Sequence, residues 1–444
     1  MASARKIALD VLNRVEQGGA HAAAVLSSLL AARIESKEAA LAHELVFGVL
    51  RNRPWLDHLL DQCLTGAANK LEPTVRNVLR LGAYQLAFLD RIPARAAVSE
   101  TVGLTRHPRT RWSTALVNAV LRRLCALPKD ERQPDLRNHA NLSDDEVSLR
   151  LGLPPWLLAR LIQDLGRPRA LSAAMAFQTH PRRTLRVNPH RMTRAEALTR
   201  LGEQASAGKL SPWAIDAPRA LAAPLERQGM TAVQDEGSQL VALALGARPG
   251  DRILDACAGR GGKTAAIASS VGKAPPVTAV DVLPGKLDRL QLELDAQGLC
   301  ARVETVDLTQ GPGSLAGSLF DRVLVDAPCS GTGTLGRRPE IRWRLTPQAI
   351  GDLVSIQAAI LNTAANLLAP GGRLVYAVCS LCSAEGFGQA ERLLSRCTDF
   401  DWCREAPPGW PENVHFHEGR AMLCPSEHST DGYQIAVLER RRPA

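Results

Sequence analysis

No apolar run in this 444-residue chain reaches the roughly 18 to 20 residues that a bilayer-crossing helix needs, and Arg5, Lys6, Asp10 and Arg14 interrupt its opening stretch. Neither a membrane span nor a secretory leader is expected. Aromatic residues are scarce, at seven Trp, three Tyr and seven Phe, so a surface built mainly from stacked rings is excluded. Repeats of fixed period and low-complexity tracts are missing, which excludes a solenoid or a disordered chain. The ten cysteines include only one C-x-x-C, too few for a four-cysteine zinc site. With no leader expected, they read as free thiols of a reducing compartment, and a cytoplasmic location, with no metal, is expected.

What is present suits a multidomain globular protein. Hydrophobic residues make up 45% and charged residues 22%, the usual balance for packed domains, and the length calls for two or three of them. The net charge of +9 is unevenly spread. Residues 1–140 carry 20 basic and 13 acidic side chains, residues 141–230 carry 13 and 8, and residues 231–444 carry 21 and 24. A basic N-terminal half points to an anionic partner, nucleic acid foremost.

Residues 1–138 read as one all-α domain. Ile7, Val11 and Val15, then Leu41, Leu45 and Val49, recur at helical spacing, and further helices are predicted over 55–64, 75–89, 96–104 and 113–124. Breaks are expected at Gly18-Gly19, Pro54 and Ile92-Pro93. Between positions 76 and 123, nine arginines (Arg76, Arg80, Arg91, Arg95, Arg106, Arg109, Arg111, Arg122, Arg123) face only Asp90 and Glu100. They form either a phosphate-contacting surface or merely solvated helix faces. Residues 128–143 read as a polar linker. Residues 139–232 read as a small connector that also contacts RNA, on a second basic cluster (Arg182, Arg183, Arg186, Arg191, Arg194).

From residue 233 the rhythm turns to short β runs followed by helices, which predicts a doubly wound, mostly parallel α/β domain. Its first β-α turn, Asp255-Ala256-Cys257-Ala258-Gly259-Arg260-Gly261-Gly262-Lys263-Thr264, lets backbone approach a ligand at the C-terminal edge of the sheet. The turn fits neither G-x-G-x-x-G nor the P-loop, where Cys257 stands in place of the required glycine. Asp281 ends the second strand and Asp307 follows the third. A glycine turn with acids after strands two and three suits a ribonucleoside without pyrophosphate, above all S-adenosylmethionine. The fourth strand delivers Asp326-Ala327-Pro328-Cys329 and the fifth Val378-Cys379-Ser380, so two thiols emerge at the same edge.

The run Phe320–Gly331 resembles the signature of the RNA 5-methylcytosine methyltransferases of the NOL/NOP/Sun class. The chain as a whole is similar to the bacterial 16S rRNA members of the RsmB (Sun/Fmu) type. Residues 1–127 resemble a NusB-type RNA-binding domain, Val233-Gln234-Asp235 through Gln239 resemble the start of the catalytic domain, and Arg337-Arg338-Pro339-Glu340-Ile341-Arg342-Trp343 follows the signature as in the family. The resemblance implies an all-α NusB-like domain, a small connector and a Rossmann-like methyltransferase domain. It also implies that Cys379 attacks carbon 6 of cytosine, that Cys329 helps remove the carbon 5 proton, and that Asp326 holds the base edge beside the methyl donor. Cys257, Ala258, Gly259, Arg260, Gly261, Gly262, Lys263, Asp281, Asp307 and Asp326 would bind S-adenosylmethionine. The expected partner is small-subunit rRNA, and the protein is expected to be monomeric. The same chemistry on tRNA, or a non-catalytic assembly role, are the alternatives. The chain departs from the pattern in three places: Gly259-Arg260 replace Ala-Pro, Val378 replaces Thr, and Cys382 completes the C-x-x-C, where it is expected to be a bystander.

Overall fold

The computed structural model describes residues 3–31, 35–64, 71–136, 141–272 and 277–442. The chain divides into two compact units, the first made of residues up to Thr179 together with Leu335–Arg344, the second of His180–Thr334 and Leu345–Ala444. No described helix is long and apolar enough to cross a membrane.

The first unit is helical: α1 (Ala4–Gly18), α2 (Ala22–Leu30), α3 (Ser36–Arg51), α4 (Arg53–Cys63), α5 (Pro73–Phe88), α6 (Ala94–Gly103), α7 (Thr114–Ala126), α8 (Asp144–Arg150), α9 (Pro155–Leu165) and α10 (Arg167–Ala176). The expected helical spacing is what buries Ile7, Val11 and Val15 on one face of α1, whose Ser3 cap accepts the Lys6 N–H. Helix α5 is buried nearly all round and forms the axis of this core. Pro54 sits in the first turn of α4, where its missing N–H costs nothing, so the break falls just before it.

Two of the nine arginines face inward. Arg80, 4% exposed, grips Asp57 through both Nε and Nη2 at 2.8 Å and also reaches Glu16, while Arg76 bridges Asp57 and Asp61. These are paired structural ions, not an open basic surface. The predicted linker also differs at its start. Arg132 donates to the carbonyls of Leu86, Cys125 and Leu127, and Gln133 to that of Ala87, so this stretch is fastened to the helices. Its residues 137–140 lie outside the described residues.

Within this unit, Leu335–Arg344, ending in α16 (Ile341–Arg344), is anchored by a buried guanidinium. Arg342, 1% exposed, donates from Nη1 to the carbonyls of Arg51, Leu151 and Gly152 and from Nη2 to those of Phe177 and Leu335. No carboxylate pairs with it among the described residues, and burial pulls its pKa down to about 9. Trp343 Nε1 caps the carbonyl of Leu50 at 2.9 Å.

The second unit opens with β1 (Thr184–Val187), α11 (Arg194–Leu201), β2 (Ser206–Ala207), β3 (Ala214–Asp216), α12 (Arg219–Arg227) and β4 (Thr231–Val233). The strands form an antiparallel sheet ordered β2-β3-β1-β4. The basic cluster expected here is mostly spent internally: Arg182 pairs with Asp216, Arg183 with Glu226, and buried Arg186 donates to Gln234, Ser269 and Gln297.

The α/β part follows: α13 (Glu236–Ala244), β5 (Ile253–Asp255), α14 (Gly262–Val271), β6 (Val277–Asp281), α15 (Pro284–Gln297), β7 (Ala301–Thr305), β8 (Phe320–Asp326), α17 (Pro347–Asn366), β9 (Leu368–Val378), α18 (Phe387–Arg396), β10 (Phe400–Trp402), β11 (Arg420–Leu423), α19 (Pro425–His428) and β12 (Tyr433–Arg440). The strand order is β10-β12-β9-β8-β5-β6-β7, with β11 on β12. β7 through β9 are parallel, and β12 runs antiparallel to β9. Chain order reverses on either side of β5, so the crevice for a ligand opens at the carboxyl ends of β5, β6, β8 and β9.

Candidate active site

The glycine turn begins where β5 ends. Gly259 and Gly261 have φ of 57° and 88°, a region that side chains avoid, and a Cβ on Gly261 would meet Leu290 Cγ at 2.8 Å. Its neighbour strand fixes the turn from the side: Ala258 N–H donates to Val280 O and Gly259 N–H to Asp281 Oδ2 at 3.1 Å. Asp281 also accepts the Leu283 N–H at 2.9 Å and sits 3.3 Å from Lys286 Nζ. Asp307, after β7, accepts from the N–H and Oγ1 of Thr309. Arg260 is exposed, whereas half-buried Cys257 has its thiol pushed well above its ordinary range, by burial first and then by the carboxylates of Asp255, Asp326 and Asp281. Asp255 is buried beneath the turn, accepts from Thr264 Oγ1 at 2.7 Å, and has its pKa raised by burial to about 6.

Lys263 reaches from the first turn of α14 to the end of β8, where its Nζ lies 2.6 Å from Asp326 Oδ2. Burial opposes the ammonium, but the Asp326 carboxylate outweighs it and holds the lysine charged; Cys379 acts in the same direction. The Tyr433 ring lies beneath the ammonium, 5.5 Å from it. Cys329 and Cys379, on the loops after the adjacent strands β8 and β9, are both half-buried, with their sulfurs 3.4 Å apart. The contact with Cys379, then burial, pushes the Cys329 thiol well above its ordinary range.

What fixes the two thiols is a carboxylate that the motif reading passed over. Glu385, fully buried, accepts from the Ser330 N–H (2.8 Å) and hydroxyl, from Ser380 Oγ (2.6 Å) and from Gln357 Nε2 (3.1 Å). Ser330 and Ser380 are the residues directly after the two cysteines, so one side chain clamps both loops. Gly333 N–H completes the clamp on the Cys379 carbonyl at 3.0 Å. The only sequence signal was a lone acid in Cys379-Ser380-Leu381-Cys382-Ser383-Ala384-Glu385, among small and apolar neighbours. Cys382 is buried against Thr332 Oγ1 at 3.8 Å, and Val378, the last residue of β9, packs in the apolar core.

The crevice therefore gathers Gly259–Gly262, Lys263, Asp281, Asp326, Cys329 and Cys379. Asp307 stands at the end of β7, one strand beyond Asp281. This arrangement can receive a nucleoside and present two sulfurs to a second ligand.

Known proteins share this plan. Residues 242–439 match the model of 16S rRNA methyltransferase RsmB/F, residues 2–126 that of the NusB family, and residues 153–225 that of the RsmF/B-like ferredoxin-like domain. A probable ribosomal RNA small subunit methyltransferase B of Synechocystis is 32% identical over 99% of this chain and 100% of its own length. The chain belongs to the RsmB family. The ribosomal RNA small subunit methyltransferase B of Klebsiella pneumoniae is 33% identical over 99% of this chain and 98% of its own. The crystal structure of PH0851 superposes with a TM-score of 0.80 at 22% identity, covering 98% of each chain, a likeness of fold. The RsmB plan is a NusB-type helical part, a ferredoxin-like connector and a methyltransferase domain.

Proposed function

We propose that the protein transfers a methyl group from S-adenosylmethionine to carbon 5 of a cytosine in small-subunit rRNA, through a covalent bond between Cys379 and carbon 6. The observation that carries this reading is the pair of sulfurs 3.4 Å apart at the ends of adjacent strands, on the crevice edge of the sheet. Carbon 5 of cytosine is a weak nucleophile, and addition of a thiolate at carbon 6 supplies the missing electron density.

The residues present fit the methyl donor. Gly259 and Gly262 leave room where a Cβ would be, Asp281 and Asp307 stand at strand ends to accept from hydroxyl and amino groups, and the turn lacks the spacing of a phosphate cradle. When bound, that donor supplies an electrophilic methyl group. Lys263 neutralises Asp326 and favours an anionic Cys379. Asp326, 28% exposed at its side chain, is the carboxylate free enough to meet a base edge. In this reading Cys379 is the thiolate, and Cys329, 3.4 Å from it, is the sulfur that carries the proton. Once Cys379 is bonded to carbon its negative charge is gone. Cys329 then yields its proton to solvent and can take the one on carbon 5, which expels Cys379.

The test is transfer of label from S-adenosyl-[methyl-³H]methionine to 16S rRNA or tRNA, with the product nucleoside identified. Labelled 5-methylcytidine in 16S rRNA is expected; label on another atom or base overturns the chemistry, and label in tRNA alone overturns the substrate.

A further inference from the structure

The structure sorts the arginines of the helical unit into two kinds. Arg76 and Arg80 are neutralised by Asp57, Asp61 and Glu16, and Arg123 donates to the Cys63 carbonyl. Arg95, Arg106, Arg111 and Arg122 are exposed and make no ion pair among the described residues. These four converge on one feature. An open groove of about 990 Å³ runs between α6, the turns Leu104–Arg106 and Arg111–Ser113, and α7, and all four line it. None of its lining residues is acidic.

Trp112, also lining the groove, is 61% exposed, the largest apolar side chain left so open among the described residues. A bare indole costs solvation unless something covers it. Asn118, on α7, adds a side chain with both donor and acceptor to the same wall. Four uncompensated guanidinium groups around one aromatic face match a strand of phosphates with an unpaired base laid on the ring. A duplex offers phosphates but keeps its bases stacked internally, and an acidic peptide offers charge without a flat partner for the indole.

We infer that this groove binds a single-stranded segment of the substrate RNA, with Arg95, Arg106, Arg111 and Arg122 on its phosphates and one base stacked on Trp112. This rests on the reading of the protein as an RNA methyltransferase and adds a site separate from the thiol crevice. The basic N-terminal half thereby gains a specific role, holding a strand by its backbone and by one stacked base.

The full chain is titrated with a short labelled single-stranded RNA by fluorescence anisotropy at several salt concentrations, alongside a duplex of equal length. Arg106→Ala/Arg111→Ala is expected to reduce the steepness of log K against log salt by about 1.4, from about 0.7 per phosphate contact on a single strand. Trp112→Ala should weaken binding about 5- to 150-fold, the span supplied by stacking one base, and Trp112→Phe should recover most of it. Arg289→Ala, an exposed arginine of α15, should bind as the unaltered protein does. In rRNA methylation the groove variants should raise KM and leave kcat in place. Unchanged affinity and slope in both groove variants, or equal affinity for the duplex, overturns the groove assignment while methyl transfer still stands. Groove-dependent binding with no methyl transfer to any RNA supports the groove and overturns the enzymatic reading instead.

Discussion

Replacing Glu385 should separate the placing of the two thiols from their chemistry. The carboxylate receives four donors in a site closed to water: the Ser330 N–H, two serine hydroxyls and the Gln357 amide. The hydroxyls can turn elsewhere, since Ser380 Oγ is also 2.9 Å from Thr332 Oγ1 and 3.2 Å from Ser330 Oγ. The Ser330 N–H cannot turn, and Gln357 is held by Gln389 and by the Pro328 carbonyl. In Glu385→Ala these two fixed donors are stranded, at about 1–3 kcal/mol each, so a loss of about 2–6 kcal/mol is expected before any cavity cost. That is a large part of a typical total stability of about 5–15 kcal/mol. Glu385→Gln keeps the shape and one acceptor oxygen while its amide faces hydroxyls able to accept. About 1–3 kcal/mol and a folded protein are expected there. Its kinetic effect should be larger than its stability effect, because a displacement of about 1 Å between reacting groups can lower rates about 100-fold. Steady-state methylation by folded Glu385→Gln should therefore show a kcat reduced about 10- to 100-fold with KM for RNA little changed. Full kcat in a folded Gln variant would refute the clamp.

Further expectations concern charge and burial. Asp255 has its pKa raised to about 6 in the folded protein, so the folded state holds the extra proton and stability falls as pH rises from about 4 to 6. At about 1.4 kcal/mol per unit, Asp255→Asn should be spared a loss of about 3 kcal/mol, and parallel denaturation profiles of the two proteins over that range would rule this out. Arg342→Ala should cost about 3–5 kcal/mol by removing five hydrogen bonds to buried carbonyls, of which, among the described residues, only that of Leu151 keeps another side-chain donor, Gln178 Nε2, read as a lower midpoint in denaturant; a change under about 1 kcal/mol would show that those hydrogen bonds are not needed. Lys263→Met removes the ammonium that favours an anionic Cys379, so the rising limb of kcat/KM should move to higher pH; an unmoved limb would mean that Lys263 does not act on the thiol.

The strands that face the crevice were legible because parallel strands buried on both sides read as continuous apolar runs. Leu368–Val378 and Phe320–Asp326 lie where the runs before Cys379 and Cys329 place them, each starting earlier than its apolar stretch. The glycine turn was legible from its glycines directly after the apolar run Ile253-Leu254, although it matches neither common phosphate-binding spacing. The antiparallel margin was not: Tyr433–Arg440 is a fully engaged strand between β9 and β10, but nothing local distinguishes it from a chain-end helix or loop. The connector's sheet has strands of two to four residues, too short to show a period. Charge was the least readable property. Arg80, Arg186 and Arg342 look like surface cations in the sequence and are buried in the fold, because their partners (Asp57, Gln297 and the Leu151 carbonyl among them) are far away along the chain. Glu385 escaped notice for the same reason, since two of its partners, Ser330 and Gln357, are 55 and 28 residues away.

The covalent step is the claim on which the functional reading turns, and peptide mapping of a trapped adduct reaches it directly. Cys329→Ala, incubated with S-adenosylmethionine and rRNA, then denatured, digested and analysed by mass spectrometry, should yield a methylated cytidine attached to the peptide carrying Cys379. Attachment at any other residue, or undiminished turnover by Cys379→Ala, would contradict it.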